Sequence, residues 1–206
     1  MRARNTRQQI LDATQRLMET GGYASLTTKQ IAQEAGCAEG TLFKYFKRKE
    51  ELCLAVVLEN SPKFREAIAG VQHGKSTVAK NLERIALAAI SFFDKLLPLV
   101  VALLANMELL TEHRRVMREH GRGPKDVFEL IATYIEGEQQ LHRIGSRVAP
   151  TSAAALLLGP CFHRVLIRQV MGNDLFPSSD RDFVTALAAT LLDGLSPSRT
   201  KRSRRQ

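Results

Sequence analysis

The sequence predicts an all-α protein of about nine helices, in which a small three-helix head is joined by a fourth helix to a larger C-terminal bundle. Three observations predict it. Apolar residues recur with the 3.6-residue period of a helix along almost the whole chain. Short breaks interrupt that period at Gly21-Gly22, Gly36, Gly74, Pro98, Gly121 to Pro124, Gly145 to Pro150, Gly172 to Pro177 and Ser196-Pro197. No run alternates β-branched and polar residues as a half-buried strand would. At 206 residues, 44% of them hydrophobic, the chain has the material for a real core.

The first helix is expected over about Thr6–Thr20, with Ile10, Leu11, Ala13, Thr14, Leu17 and Met18 in one apolar stripe. Gly21-Gly22 should end it, because glycine enters the left-handed conformation of a helix terminus at little cost. The second helix has a strongly specified start. Thr27 can cap it, Gln30 completes a capping box three residues on, and Leu26 and Ile31 form a hydrophobic staple. It should end at Ala35-Gly36. A third helix follows from about Ala38 to Phe46, with Leu42 and Phe46 turned toward Ile31, Ala32 and Ala35. Two short helices joined by a glycine turn make a helix-turn-helix, whose second helix is free to enter a DNA major groove.

Charge points the same way. Residues 1–50 hold nine Lys/Arg against five Asp/Glu, and residues 196–206 hold five basic residues and no acidic one. Residues 51–195 hold sixteen of each. A neutral body with two basic ends suits an anionic partner, for which nucleic acid is the usual candidate. The last segment, from Ser196 to Gln206, reads as a disordered basic tail.

The run from Thr28 to Leu52 resembles the DNA-binding signature of the tetracycline-repressor (TetR) family. It carries Thr28, Ile31-Ala32, Ala35-Gly36, Gly40-Thr41-Leu42-Phe43, Tyr45-Phe46, Lys49-Glu50 and Leu52 in the family's spacing. The resemblance covers roughly the first 50 residues, with Ile10 to Leu17 fitting the preceding helix. It implies a transcriptional regulator, most simply a repressor released from a pseudo-palindromic double-stranded DNA operator by a small, lipophilic effector. It implies that Glu39, Gly40, Thr41, Lys44 and Tyr45 lie on the groove-facing side of the third helix. Thr28, Lys29 and Lys49 are implied as phosphate contacts. Three positions depart from the family's habit. Phe43 has no hydroxyl where a Tyr is frequent, Arg48 cannot cap the next helix, and Glu39 is acidic in a groove-facing place.

The rest of the chain is expected to serve effector binding and dimerisation, which divides it into a DNA-binding domain 1–50, a body 51–195 and the tail 196–206. The fourth helix should run from Glu50 to about Val71, with a break at Pro62. Three further helices are expected at about Thr77–Leu97, Pro98–His120 and Pro124–Ile144. Their large apolar residues form core, and Phe93, Met107, Phe128 and Phe162 are nominated to line an effector cavity. The last two helices, about Thr151–Met171 and Asp180–Leu195, are those the family pairs into a homodimer. The stripes offered for that interface are Ala153, Ala154, Leu157, Leu158, Cys161 and Val165, and Val184, Leu187, Ala188, Leu191 and Leu192.

Other function classes find little support. The stretch Leu96–Leu110 is the most apolar, but Pro98, Asn106 and Glu108 leave it short of the roughly 20 apolar residues of a membrane span. No signal-peptide pattern is present, so a soluble, cytoplasmic protein is expected. The cysteines, Cys37, Cys53 and Cys161, form no CxxC pair and should be reduced thiols. The histidines, His73, His113, His120, His142 and His163, have no metal-ligand spacing, and no catalytic or cofactor fingerprint occurs. Neither a metal, a cofactor nor a catalytic residue is therefore expected. A helical-bundle enzyme stays as an alternative without a motif. An architectural DNA-binding protein stays as another, against which the long body argues.

Overall fold

The computed structural model describes residues 2–59, 62–120, 124–173 and 178–194. Among these the chain forms ten helices and no strand. They are α1 (Arg2–Ser25), α2 (Thr28–Glu34), α3 (Glu39–Tyr45), α4 (Lys49–Glu59), α5 (Pro62–Ala69), α6 (Val78–Leu104), α7 (Met107–His120), α8 (Pro124–Gln140), α9 (Pro150–Met171) and α10 (Asp180–Asp193). The tail from Ser196 lies outside the described residues.

Helix boundaries follow local chemistry, and three differ from expectation. Helix α1 runs through Gly21-Gly22 to Ser25 instead of stopping there. Gly21 does not adopt a positive φ, Ser25 Oγ donates to the Gly21 carbonyl at 2.7 Å, and Tyr23 packs onto the head core. Helix α6 runs through Pro98, where a break was expected. The break comes at Ala105-Asn106, whose amides return to Val101 and Leu103. Burial of Leu97, Leu99 and Leu103 on either side of the proline holds the helix together despite the lost hydrogen bond. Helix α8 stops at Gln140, short of Ile144. His142 takes φ 58°, its N–H donates to the Gln139 carbonyl at 2.9 Å, and the Arg143 N–H donates to the Glu138 carbonyl at 2.9 Å. That is a Schellman ending with His at the position glycine usually fills. The break or kink expected at Pro62 falls beside residues 60–61, outside the described residues; α4 ends before them at Glu59 and α5 starts after them at Pro62.

Two hydrophobic cores result. The head core collects Ile10 and Leu11 of α1, Leu26, Ile31 of α2, Leu42 of α3, Phe46, and Leu52, Cys53 and Val56 of α4. Leu99 of α6 joins it, 1% exposed. The body core is built on α6 and α9, with α5, α8 and α10 packed around them. By length and composition α6 and α9 are each apolar enough to cross a membrane. In the fold both supply this central core.

The α9 stripe Ala153, Ala154, Leu157, Leu158, Cys161 and Val165 is buried in the chain's own core, as are Val184 and Ala188 of α10. Those residues are therefore intramolecular, a correction to their expected place between subunits. Leu156 and Val170 stand exposed on the opposite face of α9, and Met171 at the end of that helix and Leu192 of α10 are exposed as well. Gly159 lies on the same exposed side, with nothing within 4 Å of where a Cβ would stand.

At the end of the body where α6 begins, a polar knot ties the α5–α6 connection to α8. The fully buried Glu138 carboxylate accepts from the Gly74 N–H at 3.2 Å and pairs with Arg143 at 3.3 Å. Asn81 donates to the Tyr134 hydroxyl at 3.1 Å and to the Lys75 carbonyl at 2.8 Å. Burial is the main reason the Tyr134 hydroxyl is pushed up to about 12. His73 lies flat on α8 at Gly137, where an added Cβ would meet the imidazole at 2.6 Å.

Two outcomes are expected from this packing. Gly137→Ala should lower the melting temperature by overpacking, at a cost of about 1–3 kcal/mol despite alanine's better helix propensity. The penalty should shrink in a His73→Ala background; an equal penalty in both backgrounds would place the strain elsewhere. Burial pushes the Cys53 and Cys161 thiols up to about 12, and both side chains are enclosed in the two cores. A chromogenic disulfide reagent at pH 8 should therefore titrate the partly exposed Cys37 in the native protein, and all three thiols only after unfolding.

Candidate nucleic-acid interface

The turn between α2 and α3 is assembled from backbone rules. Thr27 Oγ1 accepts from the Gln30 N–H at 3.2 Å, and the Gln30 amide oxygen accepts from the Thr27 N–H at 3.0 Å, so the capping box is complete. Leu26 and Ile31, the expected staple, are both buried. At the other end Gly36 takes φ 67°, its N–H donates to the Gln33 carbonyl at 3.2 Å, and the Cys37 N–H donates to the Ala32 carbonyl at 3.0 Å. These two bonds make a full Schellman motif, which needs a left-handed residue at position 36. Ala38 then starts α3 without a side-chain cap.

Helix α3 is only seven residues long, and its orientation rests on one buried residue, Leu42, followed by Phe46 just past its end. Successive residues turn by 100°. Gly40 and Lys44 therefore lie nearly opposite Leu42, flanked by Phe43 on one side and Thr41 on the other. Glu39, Gly40, Phe43 and Lys44 are exposed, and Thr41 and Tyr45 are half-buried. No heavy atom comes within 4 Å of a Cβ built on Gly40. The glycine answers to no neighbour inside the chain, although it weakens the helix by about 1 kcal/mol relative to alanine.

The eight residues nominated from the sequence gather at one end of the head, in three different settings. Thr28 and Glu39 hold each other: the Thr28 hydroxyl donates to Glu39 Oε1 across the turn. Lys29 of α2 and Lys44 of α3 are exposed, and Gly40 and Thr41 lie between Glu39 and Lys44 along α3. Lys49 is engaged within the head. Its Nζ donates to the Leu26 carbonyl at 3.0 Å and sits 4.4 Å from the centre of the Tyr23 ring. The Tyr23 hydroxyl donates to Glu50 at 3.1 Å, and burial together with that carboxylate pushes it up to about 12.

Two features escaped the sequence reading. Arg48 forms an ion pair with Glu108 at the start of α7, which ties the head to the body; no local pattern signals a pair sixty residues apart. Among the described residues no side-chain cap replaces Arg48; Glu51, in the first turn of α4, accepts from the Lys47 N–H at 2.8 Å and so ties the entering chain to the helix. Phe43 is 46% exposed on the outward side of α3. An apolar ring four residues after an acidic one, on a face whose partner at position 42 is core, is the signal that could have found it.

In the body, Phe93 and Phe162 meet edge to face at 5.4 Å. Phe92 and Phe64 extend that cluster, stacked at 4.8 Å. Phe128 packs partly buried against the same core. Met107 does not join them: it opens α7 and is 66% exposed. His142, His163 and Glu108 are also on the surface. Among the described residues no three His, Cys, Asp or Glu side chains converge as a metal site would require.

Residues 10–56 match the family model described as bacterial regulatory proteins, tetR family. Over 74 residues the chain is 32% identical to the fatty acid metabolism regulator protein of Bacillus subtilis (strain 168), a match spanning 36% of this chain and 38% of that protein. The chain thus spans well under half the length of the relatives it matches in sequence. In fold the likeness extends throughout. A putative TetR-family transcriptional regulator from Mesorhizobium loti superimposes with a TM-score of 0.69 at 20% identity, covering 94% of this chain and 98% of that one. The transcriptional regulator FadR from Bacillus subtilis, solved in complex with stearoyl-CoA, superimposes with a TM-score of 0.62 at 20% identity, covering 92% and 99%.

Proposed function

We propose that this chain, whose residues 10–56 match the model of the tetR family of bacterial regulatory proteins, is a sequence-specific transcriptional regulator that represses from a pseudo-palindromic DNA operator. It acts there as a homodimer, in the cytoplasm, and a small lipophilic effector releases it. The observation that carries the reading is the outward face of α3: a glycine with open space above it and a lysine one turn on, on a helix locked from behind by Leu42.

Each residue then has a physical task. Gly40 lets the helix backbone come close to the groove floor. Lys44, Thr41 and Tyr45 donate to phosphates or base edges, and Lys29 with the Thr28 backbone N–H at the start of α2 donates to the flanking phosphate. Glu39, aimed by the Thr28 hydroxyl, is set to accept from a cytosine amino group. Lys49 serves first to fix α4 on Tyr23 and Leu26, and adds positive charge beside the same phosphates. Two-fold pairing of subunits would use the outer faces of α9 and α10, where Leu156, Val170, Met171 and Leu192 stand exposed around the open surface of Gly159. The aromatic cluster of Phe64, Phe92, Phe93 and Phe162 is the region best suited to an apolar effector. The fold shared with a protein that holds stearoyl-CoA supports that class.

The test is selection of bound fragments from sheared genomic DNA at two salt concentrations. A pseudo-palindromic site whose affinity drops steeply with salt is expected; enrichment without any sequence preference would sink the proposal. On that site Lys44→Ala should weaken binding to all variants alike and lower the salt slope by about one per subunit. Gly40→Ala should leave the melting temperature unchanged or raise it, since the added methyl meets nothing and helix propensity improves. Its operator affinity should nevertheless fall at least about tenfold, as a lost close contact of roughly 1.4 kcal/mol requires. Full affinity in Gly40→Ala would remove the close backbone approach from the model of binding.

A further inference from the structure

The outward face of α3 holds one side chain that neither charge nor hydrogen bonding explains. Phe43 is 46% exposed, and it is absent from the residues packed against the head core. It stands one turn after Glu39 on the same edge of the helix, since residues four apart lie above one another. That edge borders α2, where the Thr28 hydroxyl holds the Glu39 carboxylate.

Resting on the DNA reading above, we propose that Phe43 is a specificity-determining residue that seats its ring on the C5-methyl group of a thymine in each half-site. Three arguments converge. An ionised carboxylate one turn away repels phosphate, so the Glu39–Phe43 edge faces bases while Lys29, Lys44 and Thr41 take the backbone. On the major-groove edge the thymine methyl is the one apolar group, and apolar side chains including Phe are its partners. A ring without a hydroxyl offers a phosphate nothing, yet gains by covering a methyl and shedding water. Because Gly40 adds no bulk on the same face, the helix can sit deep enough for the ring to reach.

The experiment starts from full-length protein and a randomised duplex pool, from which the preferred duplex is recovered and resynthesised. Each thymine is then replaced in turn by deoxyuridine, which removes the methyl and leaves the pairing intact. Wild-type protein should lose about fourfold in affinity per half-site at one symmetry-related pair of positions. Phe43→Ala should bind the thymine duplex more weakly and be indifferent to deoxyuridine at that same pair. Phe43→Tyr, which keeps the ring, should restore the sensitivity. Both substitutions are at an exposed position, and unchanged circular dichroism and melting temperature would verify that the fold is kept. A flat deoxyuridine scan, equal losses in wild-type and Phe43→Ala, or a preferred half-site without thymine overturns the inference while leaving operator binding intact. Recovery of no preferred duplex overturns the DNA reading, and this inference with it.

Discussion

The arrangement of the whole molecule depends on α6 belonging to two hydrophobic cores. Over 27 residues, about 40 Å of helix, it supplies Leu82, Ile85, Ala86, Ala89 and Ile90 to the body and then Leu99 to the head. Leu103 continues the contact against Leu54 of α4. Removing Leu99 would leave a void in the head core where α6 meets α4 and α1, which core packing penalises by several kcal/mol. The head therefore has no freedom to float on a linker. Pro98 sits inside this junction, where it sacrifices one hydrogen bond in a stretch that burial holds helical.

The head shows how little is needed to aim a recognition surface. Helix α3 has seven residues, too few for stability from helix formation alone. Its direction comes from Leu42 and Phe46 below it, the Schellman turn at Gly36 behind it, and the Thr28–Glu39 bond at its side. All three constraints act from one side, so the opposite side is released from folding duty. Gly40, Phe43 and Lys44 occupy that released side. Their identities make poor sense as folding choices: a glycine in a helix and an aromatic ring in water both cost stability.

The head was legible in the sequence because its determinants are local. Thr27 with Gln30, and Gly36 at the end of the second helix, act within a few residues, and their structural roles followed from spacing. The body was less legible because its determinants are distant. Pro98 reads as a break under local rules, yet burial of Leu97, Leu99 and Leu103 holds α6 helical there; in the head, Gly21-Gly22 misled in the same way. The end of α8 was invisible for the opposite reason, since His142 takes a conformation normally marked by glycine. The α9 stripe, and Val184 and Ala188 of α10, were read correctly as apolar and assigned to the wrong partner, whereas Leu192 from the same α10 stripe does stand exposed. Periodicity shows that a face is buried and is silent on whether the neighbour is the same chain. In the candidate site, the residue types of α3 were readable, whereas the internal engagement of Lys49 and Arg48 required the fold.

Coupling between the two cores also has a physical location. Phe92 packs against both of them, stacks on Phe64 at 4.8 Å and lies 5.7 Å from Phe93. Phe93 in turn meets Phe162 of α9. From Phe92 to Leu99 is seven residues, about 10 Å along one continuous helix. Close-packed rings cannot absorb an added ligand by compression, so they must turn or displace the helix that carries them. A molecule entering beside Phe93 and Phe162 would thus act on α6 within two turns of the side chain that anchors the head. Because Leu99 touches the core that fixes Leu42, and Leu103 bears on α4, displacement of α6 reaches the orientation of α3 through apolar contacts alone. On the proposed function, this shared helix, more than any charged pair across the head–body boundary, is where binding in the body and binding to DNA become a single equilibrium.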